Sequence, residues 1–368
     1  MQEEDYMRLA LALAEQGAGW TSPNPMVGAV IVKGGRIIGR GWHQRCGGLH
    51  AEREALMSCT EDPAGATLYV TLEPCCHQGR QPPCTDAILE AGIRRVVVGS
   101  TDPNPLVAGK GLEILRNHGV EVETGVLRSE CDTLNSVFFH YIRTRRPYVV
   151  MKYAMTLDGK IAARTGASQW ITGEAARRRV HQDRHRYRGI LAGVGTVLSD
   201  NPLLTCRMEG GRNPVRIICD THLRTPLESR IVRTANEVDT ILATCETDGE
   251  RTAPYTAAGC QVWQLPARAG RVDLAALMDR LGAAEIDSLL LEGGGTLNWS
   301  MLEAGLVRRV RAYIAPKLFG GGAAKSPVEG AGVALPSQAA HLRDLTVTRL
   351  GEDFLLEGEV DADVHRDR

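Results

Sequence analysis

The apolar and polar positions in the first part of the chain alternate between helical and extended patterns. Apolar residues at helical spacing predict a short N-terminal helix with one buried face, around Met7, Ala10, Leu11 and Ala14. A Gly34-Gly35 turn between two apolar runs predicts a β-hairpin over 27–41. Further along, the pattern predicts helices over 50–57 and 85–91 and strands over 67–72 and 94–99. The first part is therefore predicted to be an α/β domain.

The second part shows the same alternation after a basic, proline-ended stretch at 144–147. An apolar run directly after this stretch predicts a strand over 148–155. The rest of the pattern predicts helices over 174–188 and 273–281 and strands over 189–194, 215–219, 240–243 and 288–291. We therefore predict two α/β domains, residues 1–146 and 147–368, each with its own chemistry.

Composition narrows the classes of protein that fit these domains. The 43 basic and 44 acidic residues of the 368-residue chain give a net charge of -1, and aromatic residues make up 5%. This balance argues against a nucleic-acid binder but leaves small anionic substrates open. No apolar run approaches membrane-spanning length, and the first five residues are acidic where a secretory signal would be basic. We expect a cytoplasmic protein whose ten cysteines are reduced.

Histidine, glutamate and cysteine residues of the first part carry the pattern of a zinc deaminase centre. The sequence contains His50-Ala51-Glu52, then Pro74-Cys75, and then Cys84. One imidazole and two thiolates fill three positions of a tetrahedral zinc and leave the fourth for water. Zinc makes hydroxide available near neutral pH. Glu52 is not a ligand and is predicted to carry the proton to the pyrimidine ring nitrogen and then to the departing ammonia.

Neighbouring residues leave the choice of zinc ligands open. Cys76 adjoins Cys75, and either thiolate could face the metal. Pro74 favours Cys75, because proline suits the entry to a helix and Cys75 would then lie in the first turn, where the dipole stabilises a thiolate. We expect His77 to contact substrate rather than metal. A lone cysteine is usually a small buried hydrophobe, so the metal site rests on the number and type of ligands together.

Two glycine-rich turns in the second part bear on nucleotide binding. Gly293-Gly294-Gly295-Thr296 lies between a predicted strand and a helix, where backbone N–H groups can bind an anion. A tight turn without a ligand explains this motif about equally well. Gly193-Val194-Gly195-Thr196 does not continue as a dinucleotide-binding fingerprint, because Leu198 occupies the place of the third glycine.

The motifs of the first part resemble those of the deaminase half of the bifunctional riboflavin-biosynthesis deaminase/reductase family. The matching segments are Asn24-Pro25-x-Val27-Gly28, His43-x-x-x-Gly47-x-x-His50-Ala51-Glu52, Glu73-Pro74-Cys75 with Gly79 and Pro82-Pro83-Cys84, and Asp102-Pro103-Asn104-Pro105 with Gly109-x-Gly111. The resemblance implies a cytidine-deaminase-like α/β/α domain. It also implies that Asn24 contacts the pyrimidine.

The second part resembles the reductase half of the same family, which is similar to dihydrofolate reductase. The matching segments are Lys152-x-Ala154-x-Thr156-x-Asp158-Gly159-Lys160, Ser168-x-Trp170-Ile171, Asp183-Arg184, Gly193-x-Gly195-Thr196, Asp200-x-Pro202-x-Leu204-Thr205-x-Arg207 and Glu292-Gly293-Gly294. The two resemblances together cover nearly the whole chain and leave out the polar tail from Asp361. They imply a dihydrofolate-reductase-like α/β domain that uses NADPH.

The resemblance also implies site residues in the second domain. The cofactor side comprises Ala154, Trp170, Thr196, Asp200, Thr221, Gly294, Gly295, Thr296, Leu297, Asn298, Trp299 and Ser300. The substrate side comprises Ser168, Arg184, Leu204, Arg207 and Glu292. The planar fork of arginine suits a sugar phosphate, although most single arginines are solvated surface charges. Lys152 and Asp200 are the candidates for the catalytic proton donor.

We therefore predict a bifunctional enzyme that deaminates 2,5-diamino-6-(5-phosphoribosylamino)pyrimidin-4(3H)-one with Zn²⁺ and then reduces the ribosyl chain of the product to ribityl with NADPH. The family suggests a homo-oligomer, a dimer or a tetramer, without nucleic-acid or membrane partners. Two alternatives remain. A nucleic-acid base deaminase with an unrelated C-terminal domain would need basic, aromatic surfaces. A non-enzymatic nucleotide sensor with a structural zinc would need a fourth protein ligand.

Overall fold

A computed structural model describes residues 2–78, 81–104 and 107–361, so that Gly79 and Pro105 of the motifs lie outside the described residues. The chain forms two compact units, Met1–Arg145 and Arg146–Arg368, called here the first and the second unit. No helix of the described residues combines the length and apolar character that crossing a membrane requires. Both units are α/β, as the sequence predicts.

The first unit is a five-stranded sheet with helices. Its strands are β1 Gly28–Lys33, β2 Arg36–Trp42, β3 Thr67–Leu72, β4 Arg95–Ser100 and β5 Glu121–Thr124. Its helices are α1 Glu3–Ala14, α2 Ala51–Met57, α3 Cys84–Glu90, α4 Lys110–Asn117, α5 Arg128–Leu134 and α6 Ser136–Thr144, with a 3₁₀ turn at Glu15–Gly17. The strand order is β2-β1-β3-β4-β5. The hairpin β1–β2 is antiparallel, whereas β3, β4 and β5 run parallel.

Helix α2 packs unusually close to strand β2, and glycine makes this approach possible. A Cβ atom on Gly41 would lie 2.3 Å from the backbone nitrogen of Ala55. Side chains of the sheet and of α2 form one apolar core, in which Ala51 and Ala55 are fully buried. Small residues on both sides therefore hold the start of α2 against the sheet, and this start carries the predicted His50 and Glu52.

The second unit is built on a nine-stranded sheet with order β10-β9-β8-β7-β13-β6-β14-β16-β15. Its strands are β6 Tyr148–Thr156, β7 Gly189–Gly193, β8 Val215–Cys219, β9 Thr240–Thr244, β10 Gln261–Gln264, β13 Ser288–Leu291, β14 Val307–Ala315, β15 Leu342–Leu350 and β16 Asp353–Val360. A separate small hairpin joins β11 Ala267–Arg268 and β12 Arg271–Val272. Seven strands of this sheet, in the order β10-β9-β8-β7-β13-β6-β14, run parallel. Strands β16 and β15 add an antiparallel edge.

The helices of the second unit connect the parallel strands. They are α7 Glu174–Arg186, α8 Val194–Asp200, α9 Arg230–Arg233, α10 Gly249–Ala257, α11 Leu274–Ala283 and α12 Gly295–Glu303, with a 3₁₀ turn at Pro336–Gln338. Gly173 is the N-cap of α7. Helix α8 begins directly after β7, and α12 begins after a three-residue turn that follows the neighbouring parallel strand β13. Their starts therefore share the carboxyl edge of the sheet, where α/β proteins bind ligands.

Candidate functional site

Three predicted metal ligands converge in the first unit. The Nδ1 atom of His50 and the Sγ atoms of Cys75 and Cys84 all lie within 4.8 Å of one another. His50 Nδ1 is 3.4 Å from each sulfur. A tetrahedral zinc with nitrogen and sulfur ligands at their usual bond lengths requires an N···S separation of about 3.6 Å. The donor set and its spacing therefore fit Zn²⁺, with one position left for a non-protein ligand.

The backbone places these ligands at the ends of regular elements. His50 is the N-cap of α2, and Cys84 is the first residue of α3. Cys75 lies in the loop after β3, so the prediction that it occupies the first turn of a helix is wrong. Its carbonyl oxygen instead accepts the N–H groups of Cys84 and Thr85, at 3.0 and 3.2 Å. Cys75 thus reaches the positive end of α3 from outside the helix.

Hydrogen bonds from Cys84 also stabilise the thiolate of Cys75. The thiol and the backbone N–H of Cys84 both donate to Cys75 Sγ, and the backbone contact measures 3.4 Å. The bond from the Cys84 thiol is the main reason that the pKa of Cys75 falls to about 4, and burial opposes it. A thiolate is the form that binds zinc. The half-buried Cys76 thiol is not part of the ligand cluster.

Glu52 lies in the first turn of α2, beside the ligand cluster. Its side chain is buried and within hydrogen-bonding reach of Cys84. Burial, reinforced by the negative charge of Cys75, raises the pKa of Glu52 to about 7. A carboxyl group with a pKa near neutrality can both accept and return a proton. The structure therefore places the predicted proton carrier where its role requires it.

The predicted pyrimidine contacts lie near this cluster, together with a histidine that the sequence analysis did not select. Asn24 Nδ2 is 3.2 Å from His43 Nε2, and the His43 ring packs edge-on against His50 with centroids 5.4 Å apart. His77 follows Cys75 by two residues, and its buried Nδ1 atom has no hydrogen-bond partner among the described residues. That atom is available to a ligand. His43 appeared in the sequence only as part of the motif with His50.

Glu73 is a second residue that the sequence analysis left without a role. Its buried carboxylate accepts the backbone N–H groups of Asp102, Gly109 and Gly111, at 3.3, 3.0 and 3.2 Å. A Cβ atom on Gly111 would lie 2.3 Å from the carbonyl oxygen of Pro74. The start of α4 therefore packs directly against the residue before Cys75. Glu73 and Gly111 hold the zinc-site loop in place.

In the second unit, three predicted site residues form one partly buried ion cluster. Arg184 Nε and Nη2 donate to the two carboxylate oxygens of Glu292, at 2.8 and 2.9 Å. Lys152 Nζ lies 3.4 Å from Glu292 Oε2. Burial raises the pKa of Glu292, but the charges of Arg184 and Lys152 outweigh it and hold the pKa below its usual range. Glu292 is therefore ionised and oriented from both sides.

This cluster changes the expected role of Arg184. Its planar fork binds Glu292, and Nη1 donates to the carbonyl oxygen of Thr205 at 3.1 Å, so the fork is not free for bidentate phosphate binding. Arg207 is exposed, its backbone N–H donates to Nδ1 of His181 at 3.2 Å, and its side-chain Nε lies 3.3 Å from Nε2 of the same ring. Burial, with Arg184 and Arg207, lowers the pKa of His181 to about 4. The exposed guanidinium group of Arg207 is less engaged by the protein than the fork of Arg184.

The remaining predicted substrate and catalytic residues are spread more widely. Ser168 is half-buried in the loop after β6, whereas the Leu204 side chain is buried in the core. Because its side chain is in the core, Leu204 can contact a substrate only through its backbone atoms. Asp200 is exposed at the end of α8. Lys152 is paired with Glu292 rather than with Asp200.

The predicted cofactor residues divide into those that lie near the glycine-rich turn or the surface and those that are engaged in contacts within the unit. Thr196 and Gly294 are neighbours, since a Cβ atom on Gly294 would lie 3.8 Å from Thr196 Oγ1. Ala154 and Leu297 are half-buried, Thr296 is exposed, and Trp170 is 56% exposed under the guanidinium group of Arg177. Other members are engaged within the unit: Gly295 packs against Glu329, Asn298 donates to Pro327 O, Trp299 packs on Gly330, Ser300 donates to Thr296 O, and Thr221 Oγ1 accepts from Val272.

A buried polar network supports the helix that carries Arg184. Asp183 accepts hydrogen bonds from Arg311 and from the hydroxyl group of Tyr313, the latter at 2.6 Å. Arg311 also donates to Glu357 at 2.9 Å. These contacts join α7 to β14 and β16, across more than a hundred residues of sequence. The neighbouring Arg184 is thereby fixed in position, and the sequence analysis did not anticipate this network.

Fold and sites together define a zinc-type deaminase unit joined to an α/β reductase unit. Residues 1–100 match the cytidine and deoxycytidylate deaminase zinc-binding region, and residues 147–356 match the RibD C-terminal domain. The chain belongs to the RibD family of riboflavin biosynthesis proteins. It is a deaminase and reductase, so the predicted family, fold class and bifunctional enzyme are confirmed. The two domains imply zinc and a nicotinamide cofactor.

Individual relatives match over nearly the whole chain. The riboflavin biosynthesis protein RibD of Actinobacillus pleuropneumoniae is 56% identical over 357 residues, covering 97% of this chain and 95% of the relative. RibD of Escherichia coli strain K12 is 44% identical, covering 87% and 89%. The crystal structure of a diaminohydroxyphosphoribosylaminopyrimidine deaminase/5-amino-6-(5-phosphoribosylamino)uracil reductase from Thermotoga maritima is 40% identical, with a TM-score of 0.86 and coverage of 97% and 98%. The alternative functions are not favoured.

Proposed function

We propose that the two units catalyse successive reactions on one phosphorylated pyrimidine. The first hydrolyses the 2-amino group of 2,5-diamino-6-(5-phosphoribosylamino)pyrimidin-4(3H)-one. The second reduces the ribosyl chain of the resulting 5-amino-6-(5-phosphoribosylamino)uracil to ribityl with NADPH. The observation that carries this proposal is the convergence of His50, Cys75 and Cys84 beside the buried Glu52. The Thermotoga relative, which is named for both activities, supports it.

In the deamination, each residue of the first unit has one task. His50, Cys75 and Cys84 would hold zinc, which when bound supplies hydroxide near neutral pH. Glu52 accepts the proton of the nucleophile and passes it to the ring nitrogen and then to the leaving ammonia. Asn24 and His77 orient the pyrimidine. Burial of Glu52 keeps its proton affinity in the range that both transfers need.

In the reduction, the ion cluster of the second unit binds and orients the sugar. Glu292 accepts hydrogen bonds from sugar hydroxyl groups while Arg184 and Lys152 fix its carboxylate. NADPH, when bound, supplies the hydride that reaches C1 of the opened sugar. The proton that balances this transfer comes from Lys152, which lies in the cluster, with exposed Asp200 as the other candidate. Arg207 binds the phosphate.

The residues of the second unit also fit a nicotinamide dinucleotide. Helix α12 begins at Gly295 after a glycine-rich turn, and the N–H groups of its first turn suit a diphosphate. Thr196 lies beside this turn, and the exposed Trp170 offers a face to a flat ring. Ala154 lies on β6 and Thr221 lies two residues after β8, and these two strands are separated in the sheet by β13 and β7. We assign the cofactor to this carboxyl edge.

Removal of metal is expected to separate the two activities. Treatment with a chelator should abolish ammonia release from the diaminopyrimidine substrate, whereas NADPH oxidation with the deaminated substrate should continue at the untreated rate. The reason is that the three ligands lie in the first unit alone. Ammonia and NADPH are measured on the same preparation, before and after zinc is restored. Loss of both activities on chelation, with a folded protein, would contradict the assignment of one reaction to each unit.

Arg207→Ala is expected to raise the KM for the deaminated, phosphorylated substrate by about tenfold or more, because a charged hydrogen bond to phosphate is lost. The KM for NADPH should change less than twofold, roughly, since Arg207 lies on the proposed substrate side. Steady-state reductase assays measure both constants. Arg178→Ala is the matched control, because Arg178 is a largely exposed arginine of α7 that pairs with Glu174 one helical turn away. Equal weakening of both ligands would place Arg207 elsewhere.

A further inference from the structure

His43 occupies a buried position between the predicted pyrimidine contact and a zinc ligand. It is 3% exposed and directly follows strand β2. Its Nδ1 atom lies 2.8 Å from the carbonyl oxygen of Leu49, and its Nε2 atom lies 3.2 Å from Nδ2 of Asn24. Both ring nitrogens are therefore engaged by the protein. Such a residue acts on a ligand only through its neighbours.

The partner of each ring nitrogen fixes the tautomer of His43. A carbonyl oxygen can only accept, so Nδ1 must carry hydrogen and donate to Leu49. In the neutral ring Nε2 is then an acceptor. The Asn24 atom that faces Nε2 is the amide nitrogen, which can only donate, and this contact requires the neutral ring. The Asn24 amide must consequently donate from Nδ2, and its Oδ1 atom points the other way.

The loop that carries Asn24 is also held in place. Asn135 Oδ1 accepts the N–H of Met26 at 2.9 Å, and Asn135 Nδ2 donates to the carbonyl oxygen of Met26 at 2.9 Å. This paired contact anchors the backbone two residues from Asn24. Within the described part of the chain, Asn24 Oδ1 has no hydrogen-bond partner. Rotation about the terminal side-chain bond of Asn24 would exchange the positions of its amide oxygen and nitrogen.

We propose that His43 is a positioning residue that holds the Asn24 amide with its oxygen toward the substrate. Asn24 then offers an acceptor, and the pyrimidine edge that it recognises must carry an N–H or amino group. Rotation of the Asn24 amide would present its NH₂ group to the pyrimidine edge. The hydrogen bond between Asn24 and the substrate would then be lost. The proposal rests on the proposed deaminase function of the first unit and adds the direction of one hydrogen bond to it.

A double-mutant cycle with the full-length, zinc-loaded chain tests this proposal. Asn24→Ala and His43→Leu are each expected to lower deaminase kcat/KM by about tenfold or more. The double variant should be no worse than Asn24→Ala by more than about twofold, because His43 acts through Asn24. Zinc per chain and reductase activity should match the parent in all three variants. Independent, multiplying losses would overturn the proposal, and so would loss of zinc from folded His43→Leu.

His43→Gln provides a second and conservative test. A glutamine amide can donate to Leu49 and accept from Asn24, so this variant should recover most of the activity that His43→Leu loses. A folded, zinc-loaded His43→Gln that is as inactive as His43→Leu would overturn the proposal. An unchanged kcat/KM in Asn24→Ala would instead contradict the pyrimidine contact itself. A parent chain that releases no ammonia would contradict the proposed function.

Discussion

Cys75→Ser and Cys84→Ser are each expected to remove zinc from the chain and to abolish deamination. Both sulfur atoms lie 3.4 Å from His50 Nδ1, the spacing of ligands that share one tetrahedral ion. A serine hydroxyl stays protonated at neutral pH and is a poor substitute for a thiolate. Zinc per chain after dialysis, measured together with ammonia release, checks the prediction. Reductase turnover on the deaminated substrate should persist in both variants.

Cys76→Ser is the matched control for these two variants. Cys76 adjoins Cys75, and its thiol is half-buried but outside the ligand cluster. This variant should keep about one zinc per chain, because residues next to ligands are not themselves required for coordination. Retention of zinc by Cys75→Ser together with loss from Cys76→Ser would reverse the assignment of the thiolate.

Glu52→Gln is expected to keep zinc and to lose deaminase activity by roughly a hundredfold or more, the usual contribution of a general acid–base group. Glutamine has nearly the same shape as glutamate and can stay hydrogen-bonded near Cys84, but it cannot carry the proton. Burial raises the pKa of Glu52 to about 7, which suits a group that both accepts and returns a proton. Ammonia release is the direct measurement.

Zinc content and reductase activity of Glu52→Gln serve as controls for this prediction. Zinc content should equal that of the parent, because His50, Cys75 and Cys84 are unchanged. NADPH oxidation on the deaminated substrate should also stay at the parental rate. Deamination by zinc-loaded Glu52→Gln at the parental rate would show that Glu52 does not transfer the proton.

The zinc ligands could be predicted from sequence because their chemistry depends on residue type and short spacing. His50 and Glu52 are two residues apart, and both fall at the start of a helix that the apolar pattern predicts. The prediction that Cys75 lies in the first turn of a helix is wrong. The residue lies in a loop, and its carbonyl oxygen accepts two N–H groups from the start of α3, which the sequence does not show. Loop conformation depends on distant packing, here the approach of Gly111 to Pro74.

The ion cluster of the second unit shows what sequence could not provide. Arg184 and Glu292 are 108 residues apart, and only the fold reveals that the carboxylate takes the arginine fork. The burial of Asn298 inside α12 is equally a property of packing, which a glycine-rich motif does not report. A motif therefore predicts the role of a residue best when the partners of that residue are close to it in sequence.

The positions of the zinc ligands have a thermodynamic consequence for the metal. Their backbone sites are an N-cap, a first helical residue and a loop tied to that helix by two hydrogen bonds, all defined by contacts within the protein. Binding of zinc then has to order little of the chain, and its free-energy cost is small. A small zinc finger differs, because it folds only around its metal. The affinity for zinc adds to the stability of an already folded unit by mass action, as RT ln(1 + [Zn²⁺]/Kd). We therefore expect the first unit to stay folded when zinc is removed and to bind zinc again when the metal is restored.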